Sequence, residues 1–205
     1  FEDKWDKKLS LKKELLKIIE SNFLKYGFSP LETPSFEKQK NIGSFLADGE
    51  VNTMSDVFTF NDGNEKITLR YDLSSPLSRF VAEKYRELPF PYKRYAIGNV
   101  WRNEKSGNAR YREFTQADVD IIGNTNKRQA DAEICNIIAD TLEKSGLDES
   151  QFKVKISNRK IVQGLINELK IIDKFQELKV IRAIDKLDRL GLKGVEDLLK
   201  KERVD

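Results

Sequence analysis

The chain has 205 residues, with 37 lysines and arginines against 34 aspartates and glutamates, a net charge of +3. That length can bury one substantial core with room for an appendage, and so near a balance of charge gives no molecule-wide basic field of the kind that draws nucleic acid. Histidine is absent, which excludes a Ser-His-Asp triad, a Cys-His pair and any histidine-ligated metal within these residues. The single cysteine, Cys135, excludes an internal disulfide and fits a reducing, cytoplasmic setting. No run of 18 apolar residues occurs, and the amino terminus is too charged for a signal peptide, so no membrane partner is expected. Neither a Walker loop nor a GxGxxG is present. Chemistry in such a chain would work by positioning and charge stabilisation, with phosphoryl and nucleotidyl transfer first among the options. The start at Phe1 and the stop at Asp205, inside a charged helix-like stretch, suggest a piece of a longer protein.

Residues 9–26 read as an amphipathic helix, with Leu11, Leu15, Ile18, Ile19 and Phe23 at helical spacing and Gly27 placed to end it. Pro30 and Pro34 favour an extended edge next. Residues 43–53 look like a polar loop. Residues 57–60 and 66–70 read as a hairpin turned by Asn61-Asp62-Gly63-Asn64. Ser75-Pro76 opens a helix to about residue 85, with Leu77, Phe80 and Val81 inward. A second hairpin follows, with strands at 95–102 and 111–121 around a loop carrying Ser106, Gly107 and Asn108. Residues 130–144 form a helix with Ile134, Ile137, Ile138 and Leu142 inward, ended by Gly146. Cys135 on that helix reads as core packing. A short strand at 153–156 precedes helices from 159 onward, and the lysine-rich tail at 186–203 reads as a solvated helical face. The plan is α+β, an antiparallel or mixed sheet flanked by helices, without the alternation of a doubly wound fold.

The second hairpin is the most informative segment. Period two puts Arg112, Phe114, Gln116, Asp118 and Asp120 on one face and Thr115, Ala117, Val119 and Ile121 on the other. The second set can pack against helices. A guanidinium, a ring, an amide and two carboxylates on the first are more than a fold requires, and they suit a polar ligand. Arg102 ends the first strand, and Glu104, Lys105 and Arg110 surround the turn. Gln116 and Asp120 stand about 13 Å apart at strand rise, enough to meet opposite ends of a bound amino acid.

Three separated segments then carry a resemblance: LRYDLSSPLSRF at 69–80, VWRNE at 100–104 and RYREFTQADVDIIG at 110–123. In that order they closely resemble the histidyl-tRNA synthetase family. Residues 9–37 look like its first class II motif and 95–123 like its second. AIDKLDRLGLKGVEDLL at 183–199 is similar to the opening of a helical insertion. The resemblance implies an incomplete, antiparallel-sheet class II aminoacyl-tRNA synthetase catalytic core at 1–160, followed by the start of that insertion at 161–205. It implies a histidine–tRNA ligase, which joins L-histidine to ATP, with Mg2+, as histidyl-adenylate and then charges tRNA(His). The attacking carboxylate already bears its charge, so a chain without histidine is consistent with this reaction.

By the same resemblance, Arg102 bridges that carboxylate and the α-phosphate, a task suited to a bidentate cation. Glu104, Arg110 and Phe114 would seat ATP, with Phe114 stacked on adenine. Asp72, Leu73 and Ser74 would hold the α-amino group, serine standing where the family has threonine. Gln116 would contact the amino-acid backbone, and Asp120 would accept from the imidazole. No residue is assigned to a metal. A homodimer built around residues 11–37 is implied. The family's third class II motif, its histidine-specific segment and its anticodon-binding domain are not found in these 205 residues, so the piece alone is expected to be inactive. A rival is the non-catalytic, histidine-sensing regulatory subunit of ATP phosphoribosyltransferase, which has no need of the full ATP face.

Overall fold

In the computed structural model, residues 1–42, 57–103, 107, 111–169 and 173–201 are described. The expected loop at 43–53, Glu104 and Arg110 lie outside them. The chain separates into two compact units, Phe1–Val154 and Lys155–Asp205.

In the first unit, α1 (Asp6–Lys25) ends as expected: Gly27 adopts φ 76°, and Phe28 N–H reaches back to the Phe23 carbonyl at 3.2 Å. Two short strands follow, β1 (Ser29–Pro30) and β2 (Phe36–Lys38), then a single turn, α2 (Gln39–Ile42). The first hairpin forms from β3 (Thr59–Asn61) and β4 (Lys66–Leu69). Its turn is fixed by Asp62, whose Oδ1 accepts from the N–H groups of Asn64 and Glu65 at 2.9 Å each. After α3 (Ser74–Lys84) comes the long hairpin, β5 (Tyr92–Trp101) and β6 (Glu113–Ile122). Helix α4 (Lys127–Lys144) starts three residues before the expected point because the Asn126 side chain caps the N–H groups of Arg128 and Gln129.

Two three-stranded sheets result, ordered β1-β5-β6 and β2-β4-β3. β1 runs parallel to β5, and every other pairing is antiparallel. The β5–β6 ladder runs without a break from Tyr92↔Ile122 to Trp101↔Glu113. Its two faces are packed differently, as the period-two pattern predicts. Tyr95, Ile97, Val119 and Ile121 meet Phe23 and Ile137 from helices α1 and α4 and Phe28 from the segment after α1, whereas Ala96 and Val100 meet Leu73 and Phe114. The helix side is cross-tied by Asn22, whose amide donates to Thr141 Oγ1 at 2.8 Å. There, burial and a hydrogen bond to Glu20 push the Tyr95 hydroxyl up to about 12. Cys135 is half-buried and free. Trp101 is half-buried with the Arg70 guanidinium 5.9 Å from its ring, and Trp5 is exposed.

One expected element is missing. Residues 153–156 are not a strand but an irregular stretch after a short 3₁₀ turn at Glu149–Gln151. Apolar alternation there has no ladder partner among the described strands, and an unpaired strand has no hydrogen bonds to hold it. The second unit comprises α5 (Arg159–Glu168), α6 (Lys174–Ile184) and α7 (Leu187–Lys201), the last kinked at Gly191 with φ 68°. Asn158 and Asp173 cap the first two helices, and Ile166, Val180, Ala183 and Val195 are buried.

Candidate functional site

The inner face of the long hairpin is a row of chemically unlike pairs: Arg94↔Asp120, Ala96↔Asp118, Gly98↔Gln116 and Val100↔Phe114. The turn Asp72–Leu73–Ser74 lies against it, anchored by the buried Leu73 side chain on Ala96, Val100 and Phe114. Gly98 is required here by space. A Cβ would stand 2.5 Å from Arg70 Nη2, and Arg70 is pinned by the carbonyls of Asn99 and Thr33 at 2.8 and 2.6 Å.

At one end, the Arg102 guanidinium lies between two rings, 4.4 Å from the centroid of Tyr71 and 5.0 Å from that of Phe114. Its Nε donates to the Tyr71 carbonyl at 3.4 Å. A cation held between aromatic faces is oriented while much of its donor edge stays available. Arg112, next to this end, contacts Asn103 and lies 4.7 Å from the Phe58 ring centroid.

At the other end, Arg94 is fully buried, with 0% exposure. Its Nη2 donates to the Leu73 carbonyl at 3.0 Å and lies 2.7 Å from Asp120 Oδ2, an ion contact without hydrogen-bond alignment. Burial pushes the carboxyls of Asp118 and Asp120 above the ordinary range, Arg94 opposes the shift, and mutual repulsion with Asp72 adds to it. Gln116 Oε1 is buried without a hydrogen-bond partner. Asp72 accepts from Ser75 N–H at 2.8 Å and from Ser75 Oγ at 3.2 Å, so part of its carboxylate is held by the first turn of α3. Its remaining lone pairs can still meet a ligand.

Thus Asp72, Leu73, Ser74, Arg102, Phe114, Gln116 and Asp120 share one face, with Asp118 between the last two. Arg94 is the residue that the sequence pattern does not single out. It lies before the expected start of the strand at 95, and β5 begins at Tyr92. Counting the ladder back from Trp101 and Glu113 would have placed it opposite Asp120. The reverse side holds a cleft of about 670 Å³ lined by Lys4, Lys8, Lys12, Glu2, Asp3 and Glu113 among others, where charges balance. No group of three or more carboxylates or cysteines among the described residues could hold a metal ion.

This fold is shared with the crystal structure of histidyl-tRNA synthetase from Nostoc sp. PCC 7120, at TM-score 0.78 and 28% identity over 96% of this chain and 42% of that one. An ATP phosphoribosyltransferase regulatory subunit/histidyl-tRNA synthetase from Bacillus halodurans shares the fold at TM-score 0.79 and 22% identity, over 100% and 50% of the two chains. The architecture is that of a class II aminoacyl-tRNA synthetase catalytic core, in part. Residues 1–205 match the family described as Histidyl-tRNA synthetase. The histidine–tRNA ligase of Pelagibacter ubique (strain HTCC1062) is 67% identical over 207 residues, 100% of this chain and 44% of that protein. That of Rhodopseudomonas palustris (strain TIE-1) is 44% identical, over 99% and 40%. The chain belongs to the histidyl-tRNA synthetase family, and it spans less than half the length of these curated relatives.

Proposed function

We propose that the protein containing this chain is a histidine–tRNA ligase. An oxygen of the L-histidine carboxylate attacks the α-phosphorus of ATP, the bond to the β-phosphate oxygen breaks, and pyrophosphate leaves. The histidyl group of the adenylate then passes to a hydroxyl of tRNA(His), the acyl–phosphate bond breaks, and AMP leaves. The observation that supports this best is the polarity of one strand pair: an oriented guanidinium, Arg102, at one end and half-buried carboxylates, Asp118 and Asp120, at the other. The first can neutralise charge developing between two anions, which is the main barrier to the reaction. The second suits a donor-rich ligand, such as the imidazole N–H on Asp120 and the α-amino group near Asp72.

Phe114 offers its ring to adenine and Gln116 its unpartnered Oε1 to the amino-acid backbone. Glu104 and Arg110 are assigned to ATP by the family motif. Mg2+ would enter on the triphosphate, its charge held by phosphate oxygens. The protein would act as a cytoplasmic homodimer, and the 205 residues alone would not turn over. No helix among the described residues is long and apolar enough to cross a membrane.

The test is pyrophosphate exchange in the full-length protein. Exchange that requires both L-histidine and ATP is the expected result. Histidine binding without exchange would favour the regulatory reading instead.

A further inference from the structure

Arg94 is a charge buried where an apolar side chain would serve the core, since its neighbours along that face of β5 are Tyr92, Ala96 and Val100. Its fork is only partly used. Nη2 serves both the Leu73 carbonyl and Asp120, while Nε and Nη1 have no hydrogen-bond partner. A buried ion of this kind rarely stabilises a fold more than an apolar residue of equal size, so its presence calls for another role. The two groups that Nη2 engages come from separate elements, the turn before α3 and strand β6. Both belong to the pocket assigned above to the amino acid. Among the described residues no other side chain engages both.

We propose that Arg94 is a positioning residue for the amino-acid pocket: one guanidinium sets the distance between the Asp120 carboxylate and the Asp72–Ser74 turn, and thereby the length and donor spacing of the side chain accepted. This rests on the reading of Asp120 as the imidazole acceptor. The other charged groups around Asp120 are Asp118 and Asp72, both acidic, so among the described residues Arg94 is the only cation that acts on its carboxyl. Without Arg94, Asp120 would lose its counter-charge, and the turn would lose the donor that ties it to the sheet. Arg94 lies at the Asp120 end of the hairpin face, away from Arg102 and Phe114, so its effect is confined to the histidine side.

The test is a double-mutant cycle in the full-length protein, followed by histidine- and ATP-dependent pyrophosphate exchange. Arg94→Met is expected to raise the KM for histidine by about tenfold or more, with the KM for ATP held within about twofold. Asp120→Asn should also raise the histidine KM. In that background Arg94→Met should add less than about twofold, because one residue acts through the other. Arg94→Lys keeps the charge and loses the fork, so it should recover part of the loss. Should Arg94→Met fail to fold, Arg94→Lys alone carries the test, and a normal histidine KM in it would overturn the proposal. So would multiplying effects in the double mutant, or equal damage to histidine and ATP. If Asp120→Asn leaves histidine use intact, the assignment of Asp120 itself fails, and the role of Arg94 falls with it. If Asp120→Asn is impaired while Arg94→Met is normal, only the role of Arg94 is overturned.

Discussion

Arg102 shows how a single side chain is prepared for a charge it has yet to meet. Tyr71 and Phe114 flank it, and the carbonyl of Tyr71 takes its Nε. The remaining donors can turn to two anionic oxygens at once, which lysine could not match. Arg102→Ala in the full-length protein should therefore remove about 3–4 kcal/mol of barrier stabilisation, by analogy with loss of an oxyanion donor. Pyrophosphate exchange should fall steeply while histidine binding weakens only modestly. Near-normal exchange would refute the assignment. Asp118 makes the opposite case, a residue whose charge works against the fold. Burial, Asp120 and Asp72 outweigh Arg94 and Arg102, so its carboxyl titrates above the ordinary range. Ionising it costs stability; the cost is absent below the ordinary carboxylate range and is fully present once pH has risen past the raised value. Asp118→Asn should accordingly raise the thermal midpoint at pH 7, and the gain should vanish on acidification. An equal gain at both pH values would mean that charge is not the cause.

At the scale of elements, what was legible in the sequence was whatever local chemistry decides. Gly27 and Asp62 act through a cap and a turn that depend on a few adjacent residues, and the strand faces of 111–121 follow from period two, whereas the Asn126 cap that starts α4 at Lys127 was not anticipated. What was not legible depends on partners. Residues 153–156 have the composition of a strand without a ladder, and Arg94 takes its meaning from a register that only the paired hairpin defines. The grip of α3 on the second sheet belongs to the same category. Glu37 on β2 receives Arg79 Nε at 3.2 and 3.0 Å and Nη2 at 2.8 Å, while its backbone carbonyl accepts from Thr68 Oγ1. Nothing in the local sequence around either residue announces this pair, 42 positions apart. Because α3 follows directly from the Asp72–Ser74 turn, the pair holds the far side of the pocket wall. Glu37→Gln leaves the half-buried Arg79 guanidinium with only the exposed Glu83 carboxylate, 3.1 Å from Nη1, and should cost about 1–3 kcal/mol. A lowered thermal midpoint is the expected readout, and an unchanged one would show that the pair is not a structural tie.

At the scale of the molecule, the first unit leaves apolar surface that its own core does not use. Leu11 is 56% exposed on α1, and Phe36 and Phe60 are 57% and 45% exposed while packed edge to face at 5.6 Å. The spacing that makes α1 amphipathic therefore serves two surfaces: Ile19 and Phe23 go to the core, while Leu11 and Leu15 remain outside. β2 is also an edge strand of its sheet among the described strands. Scattered exposed leucines need no explanation, but an exposed aromatic pair on an edge strand is a liability unless it is covered. A two-fold partner would cover it with the same patch and leave no open edge to propagate. The full-length protein should thus sediment as a dimer at micromolar concentration, and Phe36→Glu should shift it toward monomer while leaving the secondary structure of the chain intact. A wild-type monomer under those conditions, or a Phe36→Glu dimer as tight as wild type, would place the interface elsewhere or remove it.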